Sequence, residues 1–427
     1  MNIRNIYETS GYGLRKILSF HYEYLLYFFI FVAVILIFLL LYIRTKFQFW
    51  AMQPVFHIYD LSYYFFPPGI ILHDLPEKNK FCNFKNIDTV PVSKMSNLQL
   101  NKVTRFIRRH FLKNKGNTFV PQKENVIPYF TGHNCESYFS LYTEDELLID
   151  TKTNDSLENK KLVSVISGRP LHIMINNGDK DAFFDVYCVD YLCVDKDYRK
   201  KGIAPQIIQT HEYNQRLKNK NIKVSLFKRE GDLTGIVPLC VYSSYGYEMS
   251  AREWFQDYIP FHPSLGLIEI GPKNIQNLTD FIKLNHTKFD LVGICETANL
   301  IDLIKTKNIY CYIVVEKFTV LCAYFFRHSC TYLRKGVQVL PCFASINCVP
   351  DKDRDQIFVT GYKMAVQKIR AADPTFQFAV IEDISDNNML LQDIRKTTEP
   401  DIVSPMAYFF YNFAYHSVVP NKVLLIN

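Results

Sequence analysis

The chain has 427 residues, of which 48% are hydrophobic, 15% aromatic and 21% charged, and its net charge is +7. These values exclude a disordered or low-complexity protein and allow one large core or two of ordinary domain size. The modest positive charge fits an anionic ligand or an anionic membrane surface, and no long Lys/Arg run indicates a nucleic-acid partner.

The cysteines are scattered. Eleven of them occur, with no CxxC pair and no Cys/His set at the spacing of zinc ligands. An odd, irregular set argues against a disulfide scaffold. We expect reduced, buried thiols in a cytosol-facing protein, and no metal site.

The first predicted element is an uncharged apolar run, residues 24–43. As a helix it rises about 30 Å, which is the thickness of the hydrocarbon core of a bilayer. A cleaved signal peptide and a buried core helix are the alternatives. However, the run is longer than a usual signal core, and no small-residue cleavage site follows it. We predict a single-pass transmembrane helix in contact with membrane lipid.

The side of the membrane that holds the rest of the chain is weakly marked, because basic residues flank the helix on both sides. Glycosylation sequons at Asn154, Asn277 and Asn285 favour the lumen. The cysteine usage favours the cytosol, and we predict a cytosolic location.

The elements that follow alternate between helix and strand. After irregular residues 46–75, we predict a basic helix over 96–112 and a loop over 113–134. Residues 161–167 and 171–175 are predicted as neighbouring strands that flank Gly168-Arg169-Pro170. Residues 183–194 are predicted as one long buried strand, which a helix follows as far as Lys218.

A similar succession appears in the second half. Strands are predicted over 310–315, 319–326, 376–381 and 408–415, with a helix over 353–371. Two successive α/β units of similar order predict an internally duplicated fold.

The most informative motif is the turn after Val194. It contains Arg199-Lys200-Lys201-Gly202-Ile203-Ala204-Pro205, an R-x-x-G-x-A turn between a strand and a helix. Such a turn directs several main-chain N–H groups at one point, and the helix dipole and the cations add positive potential. The motif predicts an anion site suited to a diphosphate, with an ordinary strand-to-helix turn as the alternative.

Five elements in order from about residue 46 to the C-terminus carry a family resemblance. They are FQFWAMQPV at 47–55, LVSVIS at 162–167, DYLCVDKDYRKKGIAP at 190–205, IVPLCVY at 236–242, and YFFYNF at 408–413 with the tail 423–427. By these elements the chain resembles the N-myristoyltransferases (glycylpeptide N-tetradecanoyltransferases), as a divergent member of the GNAT-like acyltransferase superfamily.

The resemblance implies an α/β fold of duplicated GNAT-like mixed sheets flanked by helices, after the transmembrane helix. It implies three segments: residues 1–45 with the anchor, an acyl-CoA-binding half over 46–250, and an acceptor-binding half over 251–427. It also implies acyl-CoA, most simply myristoyl-CoA, as co-substrate. The residues it assigns to acyl-CoA are Phe49, Trp50, Gln53, Val194, Arg199, Lys200, Lys201, Gly202, Ile203, Ala204 and Pro205.

The implied reaction is direct attack of a protein or peptide amine on the thioester. The oxyanion donors map to the main-chain amides of Tyr191 and Leu192, and the base to the main-chain carboxylate of Asn427. Apolar residues 424–426 would draw the terminus inward, where desolvation raises its basicity. A frayed tail is the alternative.

The acceptor side departs most from the family pattern. Met52 replaces a Thr, Asp190 an Asn, residues 243–245 a W-H-R, and residues 227–230 a Y-T-A-G, and the expected acidic loop after the first helix is missing. Two alternatives therefore stay open. One is a non-catalytic relative that binds acyl-CoA or a partner. The other is a short-chain acetyltransferase, which the FWAMQPV element and the C-terminal tail disfavour.

Overall fold

The computed structural model describes residues 22, 24–42, 45, 48–112, 116–149, 156–176, 181–231, 235–249, 261–334, 336–350 and 355–427. Some predicted features lie outside the described residues: Ile43 of the apolar run, Phe47, residues 113–115, Asn154 of one sequon and residues 353–354. The chain divides into two units, Met1–Gln53 and Pro54–Asn427.

The first unit contains helix α1, Tyr24–Tyr42. By length and composition α1 is the one helix in the described part of the chain that is able to cross a membrane, a test that a signal sequence also passes. Its side chains are almost all exposed. A 3₁₀ turn, Trp50–Met52, follows.

The second unit opens with an antiparallel sheet. Strands β2 (Ile87–Pro91), β4 (Tyr138–Ile149), β5 (Ser156–Ile175) and β6 (Ala182–Val189) pair in that order. Helix α5, Ile203–Lys218, then crosses to β8, Val224–Glu230, which is parallel to β6. The short strand β7, Cys193–Val194, pairs with β5 between β6 and the helix.

The same order recurs later in the chain. Strands β12 (Ile309–Glu316), β13 (Thr319–Arg327) and β15 (Val337–Asn347) are antiparallel. Helix α8, Asp355–Ala372, crosses to β16, Phe376–Glu382, which is parallel to β15. The predicted duplication of a mixed α/β unit is confirmed.

Two late strands join the halves. Strand β17, Ile402–Tyr411, pairs with both β8 and β9 (Cys240–Glu248), and β9 pairs with β16. The C-terminal strand β19, Val423–Ile426, pairs with β11 (Leu291–Ile294), which pairs with β5. The chain end is therefore brought to the first half.

The remaining elements cover the sheets or extend their edges. The helices are α2 Leu61–Phe65, α3 Asn97–His110, α4 Lys123–Val126, α6 Ile275–Asn285, α7 Thr297–Lys305 and α9 Asn387–Ile394. The strands are β1 Gly69–Ile70, β3 Thr118–Phe119, β10 Leu265–Glu269, β14 Thr331–Arg334 and β18 Phe413–Ala414.

Helix α3 agrees with its prediction because its sequence is amphipathic and well capped. Ser96 and Gln99 form a reciprocal capping box at its start. Leu100, Val103, Phe106 and Ile107 are buried along one face.

Three predicted elements are wrong in detail. Residues 161–175 form one uninterrupted strand, because Gly168 has extended backbone and pairs with Val189. The predicted loop over 113–134 contains β3 and α4, the latter capped by a reciprocal pair of Gln122 and Asn125. The predicted long strand 183–194 is broken between Val189 and Cys193.

Candidate functional site

The R-x-x-G-x-A turn forms the N-terminus of α5. Gly202 is the N-cap residue at φ +75°, and Lys200 also has a positive φ of 65°. Ile203, Ala204 and Pro205 form the first turn; Pro205 has no N–H, and the N–H groups of Ile203 and Ala204 have no intrahelical acceptor. This loop, residues 199–205, therefore has the backbone geometry and the polarity of an anion site, and we call it the phosphate loop.

The cations of this turn divide into two roles. Arg199 is structural: its Nε donates to the carbonyl of Val194 at 3.3 Å and its Nη2 to the carbonyl of His110 at 3.0 Å. Lys201 of the turn and Lys161 of strand β5 place their ammonium groups 4.6 and 4.9 Å, respectively, from the ring centre of Tyr198. These two lysines supply the positive charge beside the loop.

A β-bulge lies immediately before this loop. Gly168 pairs with Val189 and Val165 with Cys193, so two residues of β5 oppose three residues, 190–192, on the other strand. The N–H of Asp190 donates to the carbonyl of Ser167 at 3.2 Å. Within the described part of the chain, the N–H groups of Tyr191 and Leu192 have no acceptor.

Aromatic side chains hold this bulge. The ring of Tyr191 lies 5.3 Å from Phe111, 6.1 Å from Phe130 and 6.5 Å from Phe119, between ring centres. Burial raises the pKa of the Tyr191 phenol well above its usual value. The phenol is therefore a neutral packing group, and the main-chain N–H is the part of Tyr191 with chemistry to offer.

The chain terminus is buried near the bulge. All four residues of β19 are buried, and Asn427 is 6% exposed. The side-chain amide of Asn427 donates to Sγ of Cys188 at 3.5 Å. Because Cys188 belongs to β6, two residues before Asp190, the terminus lies beside the strand that carries the bulge.

Two arginines flank the ring of Tyr129 in this region. Arg327 donates to the main-chain oxygen of Asn427, and its guanidinium carbon lies 6.0 Å from the ring centre. Arg169 is 2% exposed, lies 5.5 Å from the same ring, and bonds Asp190 through Nε at 2.7 Å. Asp190 and the main-chain oxygen of Asn427 thus each have a guanidinium partner.

A third pair lies at the end of β16. Glu382 accepts from Lys228 Nζ at 2.7 Å and from the hydroxyl of Tyr242 at 2.6 Å. Burial opposes ionisation, but Lys228 and Tyr242 outweigh it and hold the pKa of Glu382 below its usual value. Lys228 stands in the segment that departs from the family pattern.

The structure thus brings Tyr191, Leu192 and Asn427 into one region and places Val194 to Pro205 next to it. Phe49, Trp50 and Gln53 lie in the first unit, where the amide of Gln53 donates to the carbonyl of Phe49 at 3.1 Å. Among the residues that the structure describes, no His/Cys/Asp/Glu group is arranged to hold a metal ion.

Sequence reasoning missed Arg169, Arg327 and Glu382. Each is a charged residue inside or at the end of an apolar strand, and such residues are rarely buried without a partner. That signal identifies them as paired, but the partners come from strands far apart in sequence. Arg169 was also hidden because Gly168 and Pro170 beside it suggested a turn.

Comparison with known proteins points to the same family as the five sequence elements. Residues 79–240 match the family model described as "Myristoyl-CoA:protein N-myristoyltransferase, N-terminal domain". No curated protein matches the chain.

The fold is similar to that of Saccharomyces cerevisiae N-myristoyltransferase. One crystal structure of that enzyme with bound myristoyl-CoA has a TM-score of 0.64 at 14% identity and covers 89% of this chain and 99% of its own. A second has a TM-score of 0.66 at 13% identity, covering 89% and 93%. A tandem GNAT protein from the clavulanic acid pathway has a TM-score of 0.52 at 7% identity, covering 78% and 100%.

The duplicated unit, the phosphate-type loop and these comparisons agree. The chain has the fold of the N-myristoyltransferases, and its residues 79–240 match the model of the N-terminal domain of that family.

Proposed function

We propose that this chain is a membrane-anchored N-acyltransferase. It moves a long-chain acyl group, myristoyl in the simplest case, from acyl-CoA to an amine of a protein or peptide. The matched family and the bound myristoyl-CoA of the yeast structures support this donor. The apolar helix α1 supports attachment to a membrane. In this proposal the rest of the chain lies in the cytosol.

The observation that carries the proposal is the burial of the chain end beside the bulge. In the proposed reaction, the N–H groups of Tyr191 and Leu192 stabilise the negative charge on the thioester oxygen. The main-chain carboxylate of Asn427 accepts a proton from the attacking amine. The thiolate of CoA then leaves, and the new amide bond replaces the thioester bond.

The donor is held by residues already placed near one another in the second unit. Val194, Lys200, Lys201, Gly202, Ile203, Ala204 and Pro205 form the diphosphate site in this proposal, and Arg199 fixes the loop. The family resemblance also assigns Phe49, Trp50 and Gln53 to acyl-CoA, and this assignment stays a prediction. The division into a donor-binding half over residues 46–250 and an acceptor-binding half over residues 251–427 stays a prediction.

Donor binding is tested by thermal unfolding of the full chain with myristoyl-CoA, acetyl-CoA or free CoA. A ligand that binds only the folded state raises its stability by mass action. We expect a clearly larger increase with myristoyl-CoA than with the other two. Equal increases with the three ligands would indicate a site that recognises the CoA moiety and not the acyl chain, and acetyltransferase chemistry would then be favoured.

The base is tested by moving the terminal carboxylate. Two residues added after Asn427 should lower acyl transfer at least about a hundredfold, because a general base contributes about 10²–10⁴ in rate. Asn427→Ala is the matched control, since it removes the side chain and keeps the main-chain carboxylate. Full transfer by the extended chain would exclude the terminal base.

One observation favours a second candidate, a relative that binds acyl-CoA without transferring the acyl group. Arg327 already neutralises the terminal carboxylate, and Lys228 presents an ammonium group to Glu382. Such a protein would be stabilised by myristoyl-CoA yet show no transfer to any amine.

A further inference from the structure

One segment of the chain accounts for its net positive charge. Residues 89–123 contain no Asp or Glu, and their cations are Lys94, Lys102, Arg105, Arg108, Arg109, Lys113, Lys115 and Lys123. The net charge of the chain is +7, so the rest is close to neutral. Charge concentrated in this way indicates a partner of opposite sign.

Four of these cations share one face of α3. Lys102, Arg105, Arg108 and Arg109 span about 120° of the helix surface at 100° per residue, opposite the buried apolar face. All four are exposed, and none forms an ion pair with a residue that the structure describes. Lys102 donates only to the carbonyl of Lys160, at 2.8 Å. We call this surface the basic face of α3.

Local helix electrostatics accounts for part of this set. Arg108 and Arg109 lie in the last turn, where cations stabilise the helix dipole. Lys102 and Arg105 lie in the middle of the helix, where the dipole gives no such benefit. A cationic face that begins two turns before the end of the helix therefore calls for another explanation.

The basic face ends at the proposed reaction centre. Phe111, the C-cap residue of α3, lies with its ring 5.3 Å from that of Tyr191, and Phe119 approaches the same ring. Arg199 of the phosphate loop donates to the carbonyl of His110. A ligand held along the basic face would therefore reach Tyr191 at one end.

The donor does not require this face, because Lys161 and Lys201 already stand beside the diphosphate loop. We propose that the basic face of α3 binds an acidic segment of the acceptor protein or peptide, and so places the amine near Tyr191. This inference rests on the proposed function and names its acceptor class. The acceptor carries Asp or Glu residues a short distance from its reactive amine.

The test measures binding by the full-length chain in nanodiscs of zwitterionic lipid, so that no anionic surface competes. The probes are three fluorescent peptides with a free N-terminal amine, an uncharged spacer and a block of Glu, Gln or Lys. Fluorescence anisotropy is recorded with myristoyl-CoA present. We expect the Glu peptide to bind about tenfold more tightly than the Gln peptide at low salt, and the difference to shrink at high salt.

The key variant carries Arg105→Glu and Arg109→Glu. It should lose about tenfold in affinity for the Glu peptide and bind the Lys peptide better, with the Gln peptide unchanged. The matched control carries Lys218→Glu and Lys220→Glu, the same change of charge on exposed residues at and beyond the C-terminal end of α5. It should behave as the unchanged chain.

Two results would overturn the inference. One is equal binding of the Glu and Gln peptides. The other is a double variant whose stabilisation by myristoyl-CoA falls while its Glu-peptide affinity stays, which would assign the face to the donor. The readout needs no turnover. A chain that binds Glu peptides but transfers nothing thus contradicts the proposed function alone, and a transferase indifferent to peptide charge contradicts this inference alone.

Discussion

At the scale of single residues, the site is organised by pairs of opposite charge. Three cations bond acceptors here: Lys228 bonds Glu382, Arg169 bonds Asp190, and Arg327 bonds the main-chain oxygen of Asn427, which is a carboxylate in the proposed reaction. Burying a charge is costly unless a partner and hydrogen bonds compensate for lost water. Nη1 of Arg169 and Nε of Arg327 are buried without a hydrogen-bond partner among the described residues, so the pairing is incomplete.

Removal of Arg327 tests how strongly the chain end is held. Arg327→Gln should lower the free energy of unfolding by about 2–3 kcal/mol, because it leaves a buried carboxylate without its cation. Arg327→Lys keeps the positive charge, so its free energy of unfolding should fall by less than that of Arg327→Gln. Chemical denaturation followed by circular dichroism gives both values.

Arg334→Gln is the control for Arg327. Arg334 pairs with Glu248 at the surface, where both side chains are well exposed. Exposed pairs contribute little, so a change within about 0.5 kcal/mol is expected. An equal loss in the two variants would mean that Arg327 has no special role at the terminus.

At the scale of elements, α5 connects the phosphate loop to a buried polar interior. Glu212 on this helix is 4% exposed, and the hydroxyl of Ser225 donates to its Oε2 at 3.1 Å. Burial raises the pKa of Glu212 to about 7, against the opposing influence of Arg216. The helix that presents the loop therefore contains a carboxyl group that titrates near neutral pH.

A pH dependence of stability follows from Glu212. The unfolded chain releases this proton near the ordinary glutamate pKa of 4.5, while the folded chain keeps it until the pH reaches about 7. Stability from this group is therefore full below pH 4.5 and is lost as the pH rises to about 7. Glu212→Gln cannot titrate, so its unfolding free energy should fall less between pH 5 and pH 8, by about 2–3 kcal/mol.

Urea unfolding at several pH values measures this difference, and the exposed residue change Glu399→Gln is the control. The control should follow the unchanged chain at every pH. Parallel curves for Glu212→Gln and the unchanged chain would show that Glu212 does not titrate in this range.

The strand that carries the terminus depends on a glycine of its neighbour. A Cβ at Gly293 of β11 would lie 2.4 Å from Cδ2 of Leu425 and 3.1 Å from Cδ1 of Ile173. Gly293→Ala should therefore displace β19, destabilise the fold by about 1–3 kcal/mol and lower acyl transfer. Stabilisation by myristoyl-CoA should persist, because the phosphate loop lies on other elements.

Gly266→Ala in β10 is the comparison for Gly293, since its Cβ would meet only Val315, at an ordinary 3.6 Å. Acyl-transfer assays and unfolding curves of the two variants measure whether Gly293→Ala loses more activity and stability than Gly266→Ala. Unchanged transfer by Gly293→Ala would show that the exact position of the terminus is unimportant for the reaction.

At the scale of the whole molecule, helix α1 and the chain after residue 45 should have separable roles. Removal of residues 1–45 should release the chain from membranes, because α1 is the described helix able to span them. Its stabilisation by myristoyl-CoA should remain, since the proposed donor site begins after residue 45. Fractionation and thermal unfolding test both statements, and a truncated chain that stays in carbonate-washed membranes would contradict the first.

Sequence alone predicted the features that are local in the chain. The amphipathic pattern of α3, the turn that opens α5 and the apolar run of α1 each depend on neighbouring residues. The physical causes are the periodicity of the helix, the permissive backbone of Gly202 and the length of the apolar run. Each can be recognised from neighbouring residues, without knowing which distant residues pack against them. The duplicated order of elements was predictable for the same reason.

Only the tertiary structure decided the bulge at residues 190–192 and the charge pairs around it. A bulge is defined by the register of two strands, and a buried ion by a partner distant in sequence, such as Arg327 and Asn427. Neither register nor partner is encoded by a local pattern. The sequence therefore determined the resemblance to a family and the turn with the backbone pattern of an anion site, and the packing of distant strands decided how the chain end and Arg327 meet.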